Sequence, residues 1–257
     1  MNLAKLLPFL AAVFPSAALA GLYGPFDSSE NYVVTLNACE AVEDVQQVHP
    51  PLGSIDLARA GDDARLHLTM AGIEHYEAQV FSGSVPRSQR VNVNVYATDP
   101  NDVRVDGAVC DDLNGDGASD FVVALWLHGN GLGARFYDRL VALSAGDNYR
   151  FWVLRTMDPS REDFVRISAD QPIVMVTQEW VHQNDRDGRA PASYFVFDLW
   201  SFSGEVVAAN ALDRRFPKWV RYTNVPSSRP ASLSDADKRR LRSDPQQPIE
   251  AVPQPRN

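Results

Sequence analysis

Apolar residues recur at every second position along much of this chain, and this period constrains the fold more than any other feature. Val91, Val93 and Val95 alternate with two asparagines and a tyrosine, which is typical of a β-strand with one buried face. Other candidate strands are rich in Val, Phe, Tyr and Trp and are separated by Gly, Asp, Asn and Pro. They are Leu66–Met70, Phe121–Leu127, Arg135–Leu143, Tyr149–Arg155, Ile173–His182 and Tyr194–Phe202.

This pattern predicts a mainly β fold with antiparallel sheets, arranged either as a sandwich or as a partial, propeller-like set of hairpins. Only Cys39–Val48 could form a helix inside the domain, because its valines recur at helical spacing. A short internal repeat favours hairpins: W-x-H-x-N occurs at Trp126–Asn130 and again at Trp180–Asn184, 54 residues later. The repeat predicts two similar hairpins, although so short a match also arises by chance in β-rich sequence.

The first twenty residues have the features of an export signal. Lys5 precedes an apolar run that continues to Phe14, and Ala18-Leu19-Ala20 has the small-x-small pattern of a cleavage site. Residues 1–20 are therefore predicted to be a secretory signal peptide. A transmembrane anchor would need about 20 consecutive apolar residues. We therefore expect a periplasmic or secreted protein with no membrane span.

The rest of the chain divides into an acidic domain and a proline-rich tail. Residues 226–257 contain six prolines and no aromatic residue, so they are predicted to form a flexible, disordered tail. The domain, residues 21–225, carries 17 basic and 29 acidic side chains and hence a net charge of −12. This charge argues against a nucleic-acid partner and suits the binding of a cation.

The two cysteines predict one covalent link. Cys39 and Cys110 are the whole cysteine content of the chain, and an even pair in an oxidising compartment favours a disulfide. The alternative is two separate buried thiols. Neither cysteine lies in a C-x-x-C pair or beside a histidine, so neither predicts a metal or catalytic site.

The strongest motif is an aspartate-rich loop that leads into the Phe121–Leu127 strand. Oxygen-bearing side chains occupy positions 1, 3, 5 and 9 of the loop, and Gly117 stands at position 6, where such loops turn sharply. Ca²⁺ requires six or more oxygen ligands, so a backbone carbonyl at position 7 and water would complete the shell. The predicted metal ligands are Asp112, Asn114, Asp116, Ala118 and Asp120. The alternative is an Asp-Asn-Gly turn that binds no metal.

The loop does not fit an EF-hand, because position 12 is Val123 rather than a bidentate glutamate. The run D-L-N-G-D-G-A-S-D-F-V-V resembles the aspartate-rich loop of FG-GAP and VCBS repeats. Only one good copy of the motif is present. In this respect the chain resembles secreted bacterial proteins of unknown function that have a lone motif of this kind. The resemblance implies Ca²⁺ as the cofactor, bound by a loop that feeds a strand.

Two functions of different classes remain open. The first is a secreted, calcium-stabilised β module without catalytic residues that binds a protein or an envelope component. The second is a periplasmic hydrolase whose site lies between the two W-x-H-x-N hairpins and contains His128 and His182. His128 lies eight residues beyond Asp120, about 26 Å at strand spacing. It is too far to share the ion, so a structural role for calcium is predicted.

Overall fold

The computed structural model describes residues 34–41, 53–70, 75–94, 104–126, 135–166, 172–183, 192–209, 219–221 and 249–250. Within these ranges the chain forms β-strands, 3-10 structure at Arg135 and at Arg161–Asp163, and no α-helix. The prediction of a mainly β, antiparallel fold is confirmed. The signal peptide of residues 1–20 lies outside the described residues, as does most of the predicted tail. None of the described segments is a helix long and apolar enough to cross a membrane.

The described residues form sixteen strands. The first six are β1 (Glu40–Ala41), β2 (Ser54–Ala58), β3 (Ala64–Met70), β4 (His75–Ser82), β5 (Val85–Pro86) and β6 (Val91–Asn94). The next four are β7 (Arg104–Asp111), β8 (Asp120–Trp126), β9 (Phe136–Ala145) and β10 (Asn148–Met157). The last six are β11 (Phe164–Val165), β12 (Val174–Gln183), β13 (Ala192–Phe202), β14 (Val206–Ala208), β15 (Trp219–Arg221) and β16 (Ile249–Glu250).

These strands form three antiparallel sheets. The first sheet has the order β1-β2-β3-β4-β5, with β6 also paired to β4. The middle sheet has the order β16-β10-β9-β8-β7, and the third has the order β11-β12-β13-β14, with β15 also paired to β13. Strand β16, the part of the predicted tail that is described, pairs with β10 through Ile249 and Val153.

The middle sheet is covered on both faces. One core packs the first sheet against one face of the middle sheet, for example Leu66 and Val80 against Phe121. A second core packs the other face against the third sheet, for example Val122 against Trp200. The structure therefore has three layers rather than the two of a simple sandwich. Burial on both faces explains why β8 is a continuous apolar run instead of an alternating one.

The segment 34–41 contacts all three sheets. The predicted disulfide between Cys39 and Cys110 is confirmed, and it joins this segment to β7. The backbone N–H of Val34 donates to the carbonyl of Phe164 in β11 (2.8 Å), while β1 pairs with β2. A helix beginning at Cys39 is thus wrong, because Glu40–Ala41 is strand. The remainder of the segment to Val48 lies outside the described residues.

The tryptophans of the two W-x-H-x-N copies lie on corresponding hairpins. Trp126 ends β8 and is opposite Tyr137 of β9, and Trp180 in β12 is opposite Phe195 of β13. Each tryptophan therefore lies on the central hairpin of its sheet, in two sheets that pack together. His128 lies outside the described residues.

Candidate metal centre

The aspartate-rich loop connects the end of β7 to the start of β8. The carboxylate of Asp112 accepts backbone hydrogen bonds from Gly115 (2.7 Å), Asp116 (3.1 Å) and Gly117 (2.9 Å). Gly115 and Gly117 adopt φ angles of +82° and +88°, which side chains with a Cβ rarely tolerate. Asp112 and the two glycines therefore set the curvature of the loop.

Asp120 is the buried anchor of the loop. Its Oδ2 accepts from the backbone N–H groups of Leu113 (2.8 Å) and Asn114 (3.2 Å). Its Oδ1 accepts from the backbone N–H (2.7 Å) and the hydroxyl (2.9 Å) of Ser144. Burial raises the pKa of Asp120 to about 6, against the opposing effect of these hydrogen bonds. A buried carboxylate with so many donors fixes the loop onto the end of β9.

Asp116 and Asp120 converge on the same hydroxyl group. Ser144 Oγ lies 2.7 Å from Asp116 Oδ2 and 2.9 Å from Asp120 Oδ1. It also accepts a hydrogen bond from Asn114 Nδ2 (3.1 Å). A serine hydroxyl has one proton to donate, so it serves only one of the two carboxylates at a time. At any moment one of the two carboxylates, Asp116 or Asp120, therefore lacks the hydrogen bond from Ser144.

The predicted ligands are only partly brought together. Asp116, Asp120 and Asn114 meet at Ser144, whereas Asp112 is turned toward the amides of its own loop. Ala118 is half-buried, and its N–H donates to Asp116 Oδ1 (2.9 Å). Within the residues that the structure describes, no three His, Cys, Asp or Glu side chains are grouped as metal ligands.

Two residues outside the loop, Asp62 and Tyr149, contact it through Ser119, and neither was predicted from the sequence. The hydroxyl of Ser119 donates to Asp62 Oδ2 in the β2–β3 turn (2.6 Å), and the hydroxyl of Tyr149 donates to the Ser119 carbonyl (2.9 Å). The pKa of Tyr149 is raised to about 12, first by burial and then by the charges of Asp120, Asp62 and Asp116. Burial acts to raise the pKa of Asp62, but hydrogen bonds, led by that from Ser119, lower it overall.

The position of Ser144 beside the loop could have been predicted from the sequence. Pairing the predicted strands Phe121–Leu127 and Arg135–Leu143 as a hairpin places the end of the second strand beside the loop. The observed register, with Phe121 opposite Ala142, puts Ser144 there. Asp62 had no such signal, because it comes from another sheet.

The loop oxygens have the chemistry that a hard cation requires. They belong to carboxylates, an amide and backbone carbonyls, which suit Ca²⁺. An ionised carboxylate has about four acceptor sites. The three hydrogen bonds to Asp112 and the internal bonds of Asp116 therefore leave lone pairs for a metal. The side chains of the loop therefore fit Ca²⁺, although in this structure their oxygens accept hydrogen bonds from groups of the protein itself.

The charge around the loop is predominantly negative. Asp111, at the end of β7, lies 3.5 Å from Arg59 and accepts hydrogen bonds from the backbone and side chain of Asn37 (3.0 and 2.9 Å). The nearby turn between β9 and β10 adds Asp147, whose partner is Arg87 (3.1 Å). These cations offset two carboxylates at the periphery of the loop.

The alternative site between the hairpins is not built by the described side chains. His128 lies outside the described residues, and of His182 the structure describes only its place in β12.

Comparison of the chain with models of protein families, with curated proteins and with solved structures found no match.

Proposed function

We propose that this chain is a secreted β module in which the loop Asp112–Asp120 binds a structural Ca²⁺ ion. The observation that carries this proposal is the convergence of Asp116 and Asp120 on the single hydroxyl of Ser144. Two carboxylates this close repel each other unless a proton or a cation intervenes. At neutral pH in a calcium-containing compartment, the cation is the favoured counter-charge.

The ion would be held by Asp112, Asn114, Asp116 and Asp120 through their side chains and by Ala118 through its carbonyl. It would supply positive charge and no reaction chemistry. The loop joins two strands of the middle sheet, and Leu113 within it is buried in the second core. Binding at this position therefore stabilises the connection between β7 and β8, which supports a structural rather than a catalytic role.

We further propose that the module acts by binding a protein or an envelope component. Exposed carboxylates surround the loop, contributed by neighbouring turns as well as by the loop itself: Asp62, Asp63, Asp116 and Asp147. An acidic end of this kind suits a partner with a basic surface. The disulfide supports a periplasmic or secreted location.

The calcium proposal is tested by thermal unfolding. Ca²⁺ at about a hundredfold excess over its Kd stabilises the native state by about 2.7 kcal/mol, so the Tm should rise by roughly 5–10 °C relative to EGTA. Asp116→Asn should abolish this difference. Asp147→Asn is the matched control, because it removes one exposed carboxylate from the neighbouring turn and should leave the calcium response intact. If the wild-type Tm is the same in Ca²⁺ and in EGTA, the loop is only a turn.

The binding proposal is tested by adsorption to a washed envelope fraction at several salt concentrations. The variant Asp63→Lys/Asp147→Lys should bind less, whereas Glu205→Lys, in an exposed turn of the third sheet, should bind like wild type. Binding should also survive His128→Ala and His182→Ala. Equal adsorption of all variants argues against the acidic end as the binding surface. A hydrolytic activity lost with either histidine, in folded protein, would establish the enzyme instead.

A further inference from the structure

The outer face of the first sheet carries three polar side chains that are linked to one another. The inner face packs in the first core through aliphatic residues of β2 and β3: Ile55, Leu57, Leu66 and Leu68. Asp56, His67 and Thr69 alternate with these residues along the two strands, so they lie on the opposite face. The His67 side chain is 36% exposed, so a solute can reach the imidazole from water.

Hydrogen bonds join the three side chains in a fixed order. His67 Nδ1 lies 2.6 Å from Asp56 Oδ1, and His67 Nε2 lies 2.8 Å from Thr69 Oγ1. Because a carboxylate only accepts hydrogen bonds, the neutral imidazole carries its proton on Nδ1. Its Nε2 then accepts the hydrogen bond from the Thr69 hydroxyl. A hydroxyl, an imidazole and a carboxylate in this order form the arrangement by which a base activates a nucleophile.

Neighbouring side chains hold the carboxylate and the imidazole in place. Arg65 Nη1 donates to Asp56 Oδ2 (3.1 Å), so both oxygens of this carboxylate are engaged. The rings of His67 and Phe81 meet edge to face, with centroids 6.2 Å apart and an interplanar angle of 85°. The Arg65 guanidinium lies over the same Phe81 ring, 5.3 Å from its centroid. Asp56 therefore acts through His67 as a positioning residue.

The residues on either side of Thr69 affect the charge that forms when its hydroxyl attacks a carbonyl. Ser54, an exposed residue of β2, is directly opposite Thr69. Residues paired in this way have Cβ atoms about 4.5–5.5 Å apart, so the Ser54 hydroxyl is within reach of the developing oxyanion and can donate to it. Glu77 is opposite Thr69 on the other side, and Arg90 (3.0 Å) offsets its charge.

We propose that Thr69 and His67 are the catalytic residues of an esterase site that takes a short acyl ester. Thr69 Oγ1 bonds to the ester carbonyl carbon while its proton moves to His67 Nε2. The bond from that carbon to the alcohol oxygen then breaks, and the alcohol leaves with the proton from Nε2. Water cleaves the acyl-threonine by the same transfers and releases the carboxylic acid. This activity goes beyond the proposed binding function and uses none of the calcium ligands.

The test measures hydrolysis of 4-nitrophenyl acetate and locates the acetyl group by mass spectrometry of acid-quenched protein. We expect acetylation at Thr69. A positioned base contributes roughly 10²–10⁴-fold to such a reaction, so Thr69→Val and His67→Gln should each lower kcat/KM about a hundredfold or more. Thr69→Ser keeps the hydroxyl and should retain activity. If Thr69→Val does not fold, Thr69→Ala replaces it.

Asp56→Asn tests the positioning role. Its amide N–H can donate to Nδ1 of His67, which moves the ring proton to Nε2 and removes the base from Thr69. This variant should lower kcat and leave KM unchanged, because Asp56 does not touch the substrate. NMR of the ¹⁵N-labelled imidazole should show the proton on Nδ1 in wild type and on Nε2 in the variant.

Three controls separate this site from other parts of the molecule. His182→Ala removes a histidine of the third sheet, Ser203→Ala removes an exposed hydroxyl, and Asp116→Asn removes a predicted calcium ligand. All three should hydrolyse the ester like wild type. The proposal is overturned if Thr69→Val retains full activity, if the acetyl group is found on another residue, or if Asp56→Asn changes neither kcat nor the position of the ring proton.

Discussion

Loss of the disulfide provides the most quantitative test of how this fold is stabilised. The bond links Cys39 to Cys110 across a sequence separation of 71. In the chain-entropy model a loop of this length restricts the unfolded state enough to stabilise the native state by about 4.4 kcal/mol at 25 °C. The variant Cys39→Ala/Cys110→Ala should therefore lose about 4 kcal/mol of unfolding free energy.

The native structure should survive the loss of the bond, because the segment keeps its backbone contacts. The N–H of Cys39 donates to the Ala108 carbonyl (3.1 Å), and the N–H of Cys110 donates to the Asn37 carbonyl (3.0 Å). The measurement is urea unfolding followed by circular dichroism. The m-value should rise in the variant, because an unlinked unfolded chain exposes more surface.

Wild-type protein in a reducing buffer is the matched control, since it keeps both sulfur atoms and loses only the link. Both samples should lose similar stability. A loss below about 1 kcal/mol in both would refute the reasoning from loop length. A loss confined to the alanine variant would instead assign the effect to packing around Cys110, which is fully buried.

Three further changes have distinct expected outcomes. Burial raises the pKa of Asp138, with Arg155 opposing this. Asp138 therefore adds to the free energy of unfolding at a pH below its pKa in the unfolded state, and this contribution is lost as the pH rises through its pKa in the folded state. The free energy of unfolding should decrease less in Asp138→Asn than in wild type between pH 4 and pH 7. Gly117→Ala, measured in EGTA, should cost about 1–2 kcal/mol because of its positive φ, whereas Gly107→Ala should change stability by less than about 0.5 kcal/mol. Phe121→Ala should cost about 3–5 kcal/mol in urea unfolding, since the ring is fully buried; a cost below 1 kcal/mol would contradict its place in the core.

Strands with clear alternation or long aromatic runs were predicted from the sequence to within about two residues. The valine-rich strand is β6, with Val91 and Val93 buried; Val95, the third valine of the predicted strand, lies outside the described residues. The candidate Tyr149–Arg155 is β10, which extends over Asn148–Met157. These elements are predictable because hydrophobic burial acts on each strand according to its own pattern.

Other strands were missed for identifiable reasons. In β7 the register shift near Gly107 interrupts the alternation of apolar residues. In β4 the buried positions include Ala78, a residue with low strand propensity. The three-layer arrangement also lay beyond the sequence pattern, which indicates how many faces a strand buries but does not identify the sheets that cover them.

The candidate metal site was also predictable only in part. The aspartates and glycines of the loop are local in sequence, so their spacing was readable. Asp62 and Tyr149 reach the loop through tertiary contacts. The hydroxyl of Ser144, which carries the calcium proposal, depends on the register of a hairpin.

The segment 34–41 has a consequence for the order in which the molecule assembles. Its contacts extend from Ala58 in β2 to Phe164 in β11, so its last partner is made 130 residues after Val34. A chain that emerges amino end first presents this segment before any of its three sheets exists. Forming a contact between residues so far apart in the chain has a large entropic cost, and it is therefore slow. The Val34 end of the segment therefore docks late, onto a sheet that is made last, and until Cys110 has emerged Cys39 is open to pairing with a thiol of another chain.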